Sequence, residues 1–138
     1  MRIAGAFGPG GLLYCVDPWP ETEGWSSCER HLRRSGVANR VRSLRGYSSE
    51  MAGQMPDQLD FAFLDGDHSW EGIKTGWTIV SEKAPPGGVA CLHDSCIPAG
   101  EESRHADSCV YFEDVIQNDP CFSVIEVVHS LAVLRNLR

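Results

Sequence analysis

The stretch "DFAFLDGDHSWEG", residues 60–72, carries the apolar run Phe61–Leu64 straight into Asp65, Gly66, Asp67 and His68. A plain turn needs less charge than this, so acids gathered where a hydrophobic strand ends point to something held there. Two further runs share the pattern: "GLLYCVD" (11–17) ends on Asp17 and "GGVACLHD" (87–94) ends on Asp94. Continuous apolar runs, bounded by turn residues, predict strands covered on both faces and therefore a parallel sheet with helices on each side. "RVRSLRG" (40–46) alternates instead, with Val41 toward the core, and predicts a strand nearer an edge. In "FSVIEVVHSLAVLRN" (122–136) two apolar runs flank His129-Ser130, the mark of an antiparallel hairpin.

Helices are predicted between these strands. "SSCERHLRRSG" (26–36) offers Ser26 or Ser27 as N-cap, Cys28 and Leu32 on one face, and Gly36 as the stop. In "SWEGIKTGWTIVSEKAPPGG" (69–88) Ser69 caps, Trp70, Ile73, Trp77 and Val80 share a stripe, and Pro85-Pro86 end the helix. "CVYFEDVIQND" (109–119) repeats the pattern with Val110, Phe112, Val115 and Ile116. The expected architecture is an α/β, Rossmann-like, doubly wound and mostly parallel sheet closed by a C-terminal antiparallel hairpin. In such sheets ligands bind beyond the carboxyl ends of the strands, where Asp17, Asp65 and Asp94 all fall.

With 138 residues, 42% of them hydrophobic, the chain suits one domain over residues 1–138. A formal charge of −7 argues against nucleic acid as a partner, since phosphate binding needs a clustered basic face. The one basic cluster, "ERHLRRSGVANRVRSLR" (29–45), reads as a solvated face. No apolar run approaches the ~20 residues that span a bilayer. No charged segment followed by an apolar core opens the chain. The expectation is a soluble, cytoplasmic protein with no membrane partner. Six cysteines in a chain able to build a real core read as reduced thiols, and Cys15 and Cys91 lie inside apolar runs.

Five motifs in order, "VDPW" (16–19), "RVRSLRGYSSE" (40–50), "DFAFLDGDHSWEGIKTG" (60–76), "PPGGVACLHDS" (85–95) and "VIEVVHSLAVLRN" (124–136), resemble a class I S-adenosylmethionine-dependent methyltransferase. The resemblance is to the small O-methyltransferase and cephalosporin-hydroxylase-like subgroup, and it covers most of the chain. It implies S-adenosylmethionine as cofactor and a small-molecule acceptor. Asp17 stands where the family's acid accepts hydrogen bonds from the cofactor ribose, a task suited to a carboxylate. Trp19 or Tyr47 would lie against the adenine, Ser48 near its edge, and Asp65 also beside the cofactor. The plainer alternatives are a packed loop aromatic for Trp19 and turn residues for Tyr47 and Ser48.

Asp65 and Asp94 match positions where metal-dependent members hold a divalent cation. Acids ending neighbouring strands about 4.8 Å apart repel unless a cation or proton lies between them. Mg²⁺ or another divalent ion would suit such oxygen ligands, with Asp67 and His68 completing the shell. Alternatively His68 or His93 acts as the base. The structural alternative is that Asp67 and Asp94 only stabilise turns or helix starts.

The family opens with a strand and a glycine-rich turn, whereas "MRIAGAFGPGG" (1–11) puts its glycines before a strand. The reading is the tail of a first helix plus a loop, with the first strand and glycine turn missing. In the family that strand lies between those ending at Asp17 and Asp65. Those two strands are then expected either to pair directly or to be covered in a homo-oligomer, and cofactor binding to be weakened. Two other functions compete. One is a non-catalytic remnant of the fold that self-associates through exposed edges. The other is a zinc protein built on Cys91, His93, Cys96, His105 and Cys109. The loop Pro98–Ser108 is expected to shape the acceptor pocket.

Overall fold

The computed structural model of the chain describes residues 7, 8, 10–96 and 106–138. The expected helix tail at the start of the chain, most of the acceptor loop and His105 lie outside the described residues. The chain divides into two compact units, Met1–Met55 and Pro56–Arg138.

The first unit pairs β1 (Leu13–Asp17) with β2 (Val41–Arg45) in parallel, in a register that runs from Leu13 opposite Val41 to Asp17 opposite Arg45. Helix α1 (Thr22–Arg34) connects them. It starts at an extended Glu21 rather than at Ser26 or Ser27. Pro20 cannot extend the strand hydrogen bonding, so the helix begins directly after it, and Glu23 complements the positive end of its dipole. Gly36, at φ +68, follows its end as expected. The core is small: Leu32 and Val41 are buried, with Leu13, Cys15, Cys28 and Val37 against them. A short helix α2 (Ser48–Met51) follows β2.

The second unit is a four-stranded sheet in the order β3-β4-β6-β5, with β3 (Phe61–Leu64), β4 (Val89–Leu92), β5 (Phe122–Val128) and β6 (Leu131–Asn136). β3 and β4 are parallel, whereas β6 runs antiparallel to both β4 and β5. The hairpin turn falls at His129, which takes φ +53. Among the described residues, parallel and antiparallel ladders are therefore equal in number, not mostly parallel. β1 and β3 belong to different sheets.

Helix α3 (Trp70–Lys83) buries Ile73, Trp77 and Val80 against Leu92 and Leu134 of the sheet. Gly76 lets the helix approach β3: a Cβ there would meet Leu64 Cδ2 at 3.1 Å. Trp77 meets Phe122 edge to face at 4.7 Å, a pairing worth about 0.5–1.5 kcal/mol beyond its buried area. β4 is deeply buried, as its continuous apolar run predicts. β3 is not: Phe61 and Phe63 are 37% and 45% exposed, so one of its faces is open.

Helix α4 (Ala106–Tyr111) widens into a π-helical segment at Phe112–Ile116. Within the wider turn Phe112 and Ile116 are buried and Val115 faces outward; Val110, two residues before Phe112 in the α-helical part, also faces outward. Among the described residues no helix is long and apolar enough to cross a membrane.

Candidate active site

The strand-end acids meet different fates in the two units. In the first, Asp17 is exposed, and its Oδ1 accepts the Trp19 N–H at 2.7 Å. That bond closes a tight turn in which Trp19 takes φ +37 and packs edge to face on Trp25 at 4.8 Å. Arg45 steadies the turn by donating to the Trp19 carbonyl at 3.0 Å. Tyr47, 64% exposed, precedes α2, and its N–H donates to Glu50 Oε2 at 3.1 Å. Ser48 is the half-buried first residue of that helix.

In the second unit, β3 and β4 lie side by side, and the residues that follow them converge. One donor atom each from Asp65, His68 and Asp94 can be chosen so that all lie within 4.8 Å of one another. His68 Nε2 stands 3.7 Å from Asp65 Oδ1 and 3.8 Å from Asp94 Oδ2. His93 Nδ1 is closer, at 3.2 Å from Asp65 Oδ1 and 3.3 Å from Asp94 Oδ2. Those distances allow charge attraction, yet the nitrogen is buried and makes no hydrogen bond of acceptable direction. A buried polar atom aimed between two carboxylates is a costly arrangement unless a proton or cation compensates it.

Asp94 reaches this cluster through an unusual backbone, at φ +51, a left-handed conformation that Asp tolerates better than most residues. Its carbonyl accepts from Ser108 Oγ at 2.5 Å and from Cys109 Sγ at 3.5 Å.

Asp67 does not join the cluster. Its Oδ1 accepts the Ser69 N–H at 2.9 Å, and that hydrogen bond holds its carboxyl below the usual carboxylate range. Ser69 then caps α3 by accepting the Gly72 N–H at 3.1 Å. Asp67 therefore serves the turn, as the structural alternative in the sequence allowed. Gly72 makes the turn possible, because a Cβ there would fall 2.6 Å from the Asp67 carbonyl oxygen. Sequence reasoning missed Gly72, although a glycine in the first turn of a helix is itself a signal of close approach.

The zinc alternative gains no support. Among the described residues, the metal-competent group is Asp65, His68 and Asp94, with no cysteine in it. Cys91 is buried in β4, and that burial pushes its thiol up, away from the thiolate that zinc needs. No disulfide links the cysteines among the described residues.

For a divalent cation the donors do fit: two carboxylates and an imidazole gather on one side of the sheet end, and the His93 nitrogen is left without a hydrogen bond. Oxygen donors with one imidazole suit Mg²⁺ or Mn²⁺.

Residues 1–95 match a family described as a methyltransferase domain, and the chain belongs to that family. Its fold resembles that of a protein of Corynebacterium glutamicum at TM-score 0.79, with 19% identity, covering 99% of this chain and 65% of that one. It is similar to an O-methyltransferase from Bacillus cereus in complex with SAH (TM-score 0.78, 15% identity, 99% and 67% covered). It is also similar to the O-methyltransferase TomG of Streptomyces achromogenes, involved in tomaymycin synthesis and solved with SAM (TM-score 0.78, 15% identity, 99% and 66% covered). The chain thus spans about two thirds of the length of these proteins, 65% for the first. No curated protein sequence matches it.

Proposed function

We propose that the chain is an S-adenosylmethionine-dependent methyltransferase that transfers a methyl group to a hydroxyl of a small-molecule acceptor. The observation that carries this reading is the convergence of Asp65, His68, His93 and Asp94 beyond β3 and β4, in a chain of the methyltransferase-domain family. Similar structures solved with SAM or SAH support the choice of cofactor.

S-adenosylmethionine, when bound, supplies an electrophilic methyl group on a sulfonium. The residues of the chain then have separable tasks. Asp17 accepts hydrogen bonds from the ribose hydroxyls; its carboxylate retains acceptor capacity beyond the one bond it makes to Trp19. The exposed Tyr47 ring, or Trp19, offers a face to the adenine, and Ser48 a hydroxyl to its edge. Asp65 borders the cofactor and, with Asp94 and His68, holds a divalent cation. Such a cation, when bound, supplies Lewis acidity that lowers the pKa of an acceptor hydroxyl. The imidazole of His93, or of His68, takes the proton of that hydroxyl. The carboxylates on either side of His93 stabilise the imidazolium that results.

Residues 1–138 are read as one methyltransferase-like domain of a cytoplasmic protein. The open face of β3, with exposed Phe61 and Phe63, favours a homo-oligomer.

Calorimetric titration with S-adenosylhomocysteine tests the reading. Saturable binding weakened at least tenfold by Asp17→Ala is expected, an order of magnitude for losing hydrogen bonds to a charged group. Absence of binding at millimolar ligand would leave the self-associating remnant as the better account.

A further inference from the structure

Asp94 is held in place from outside its own strand, and the device that does so is the first turn of α4. Left-handed backbone at a non-glycine residue is strained and persists where neighbours over-determine it. Here the Asp94 carbonyl accepts from the Ser108 hydroxyl and lies 3.5 Å from the Cys109 thiol. Both side chains are almost fully buried, at 1% and 4% exposure. The preceding residue, Asp107, reaches in another direction: its Oδ2 accepts the Trp70 N–H at 3.4 Å, at the start of α3 and two residues from His68. One turn of helix therefore grips the segments that present Asp94 and His68.

We propose that Ser108, assisted by Cys109, is a positioning residue: its hydroxyl holds Asp94 in the left-handed conformation that turns the carboxylate toward Asp65, His68 and His93. The inference rests on the reading of that cluster as the working site. It adds residues from a helix outside the metal-competent group of Asp65, His68 and Asp94.

Two readouts on the full chain separate the proposal from that reading. The first needs no metal. A strong intraresidue amide–Hα Overhauser contact in the NMR spectrum marks positive φ at Asp94. It is expected in the wild type, weakened in Ser108→Ala and retained in Ser95→Ala. Ser95 is an equally buried neighbour whose hydroxyl bonds Leu92 and Ser130 carbonyls instead, so its loss matches the structural cost of losing Ser108. The second is Mn²⁺ alone, titrated by electron paramagnetic resonance. Affinity should fall about tenfold in Ser108→Ala, the usual effect of removing an outer support of a metal ligand, and change little in Ser95→Ala.

If wild type binds no Mn²⁺, the cation reading fails while the Overhauser contact still decides the proposal. If Ser108→Ala keeps that contact at wild-type strength, or if both variants weaken it alike, the positioning role is overturned.

Discussion

Two strand ends in this chain look alike in sequence and differ in structure. "YCVDPW" ends β1 and "FAFLDGDH" ends β3, each an apolar run closed by an acid. At β1 the next available backbone N–H, that of Trp19, captures the carboxylate of Asp17, and the acid stands exposed. At β3 the sequence supplies a second acid, Asp67, to satisfy the turn, which leaves Asp65 to face Asp94 and the two histidines. The spare acid is what converts a turn into a cluster. Packing differs as well: two buried side chains back the first unit, whereas a twelve-residue core backs the second.

The largest expected effect tests that packing difference. Leu92, fully buried and adjacent to His93, should cost about 2–5 kcal/mol when changed to Ala. Leu32→Ala in the smaller core should fall at or below the low end of that range, because surface groups can collapse into the space. Urea unfolding of both variants measures it, and equal losses would remove the distinction between the units.

Next in size is Gly72→Ala. A methyl group there meets the Asp67 backbone, so a loss of about 1–3 kcal/mol is expected, as for overpacking. The same change should displace the turn that carries His68. Ser69→Ala, which removes only the cap, should cost about 1 kcal/mol and leave the cluster in place. A Gly72→Ala variant no less stable than Ser69→Ala would show that Asp67 is not confined by the helix start.

The smallest effect is a pH dependence. The Ser69 N–H lowers the pKa of Asp67 in the folded chain, so its ionised form favours folding. That contribution is present above the unfolded value of about 3.9 and is lost as pH falls through the lower folded value. Asp67→Asn should therefore flatten the acid limb of stability slightly, below about pH 4. A steeper acid limb in the variant would reverse the sign of this account.

Much of this was legible in the sequence. The strand runs, the Ser69 cap, the Pro85-Pro86 stop and the His129-Ser130 turn all stand where local chemistry put them. Asp65, Asp94 and His68 were also readable, because strand ends bring such residues to one side. Three features were not. The exposure of Phe61 and Phe63 depends on what covers β3, which an apolar run cannot report. Val115 turns outward inside a π-helical widening that shifts the period, and Val110, two residues from Phe112, lies off its buried side. The grip of Ser108 on Asp94 joins residues fourteen apart through the folded backbone, and no spacing rule encodes it.

The central claim is that the acids ending β3 and β4, and not the one ending β1, form a cation-binding centre. Titration of Mn²⁺ into wild type, Asp94→Asn and Asp17→Asn, followed by electron paramagnetic resonance, addresses it directly. Asparagine keeps the left-handed backbone at position 94 accessible, so the charge changes with little strain. The account predicts one site in wild type, affinity reduced by about a hundredfold or more in Asp94→Asn, and an unchanged site in Asp17→Asn. Equal affinity in wild type and Asp94→Asn, or a loss confined to Asp17→Asn, would contradict it.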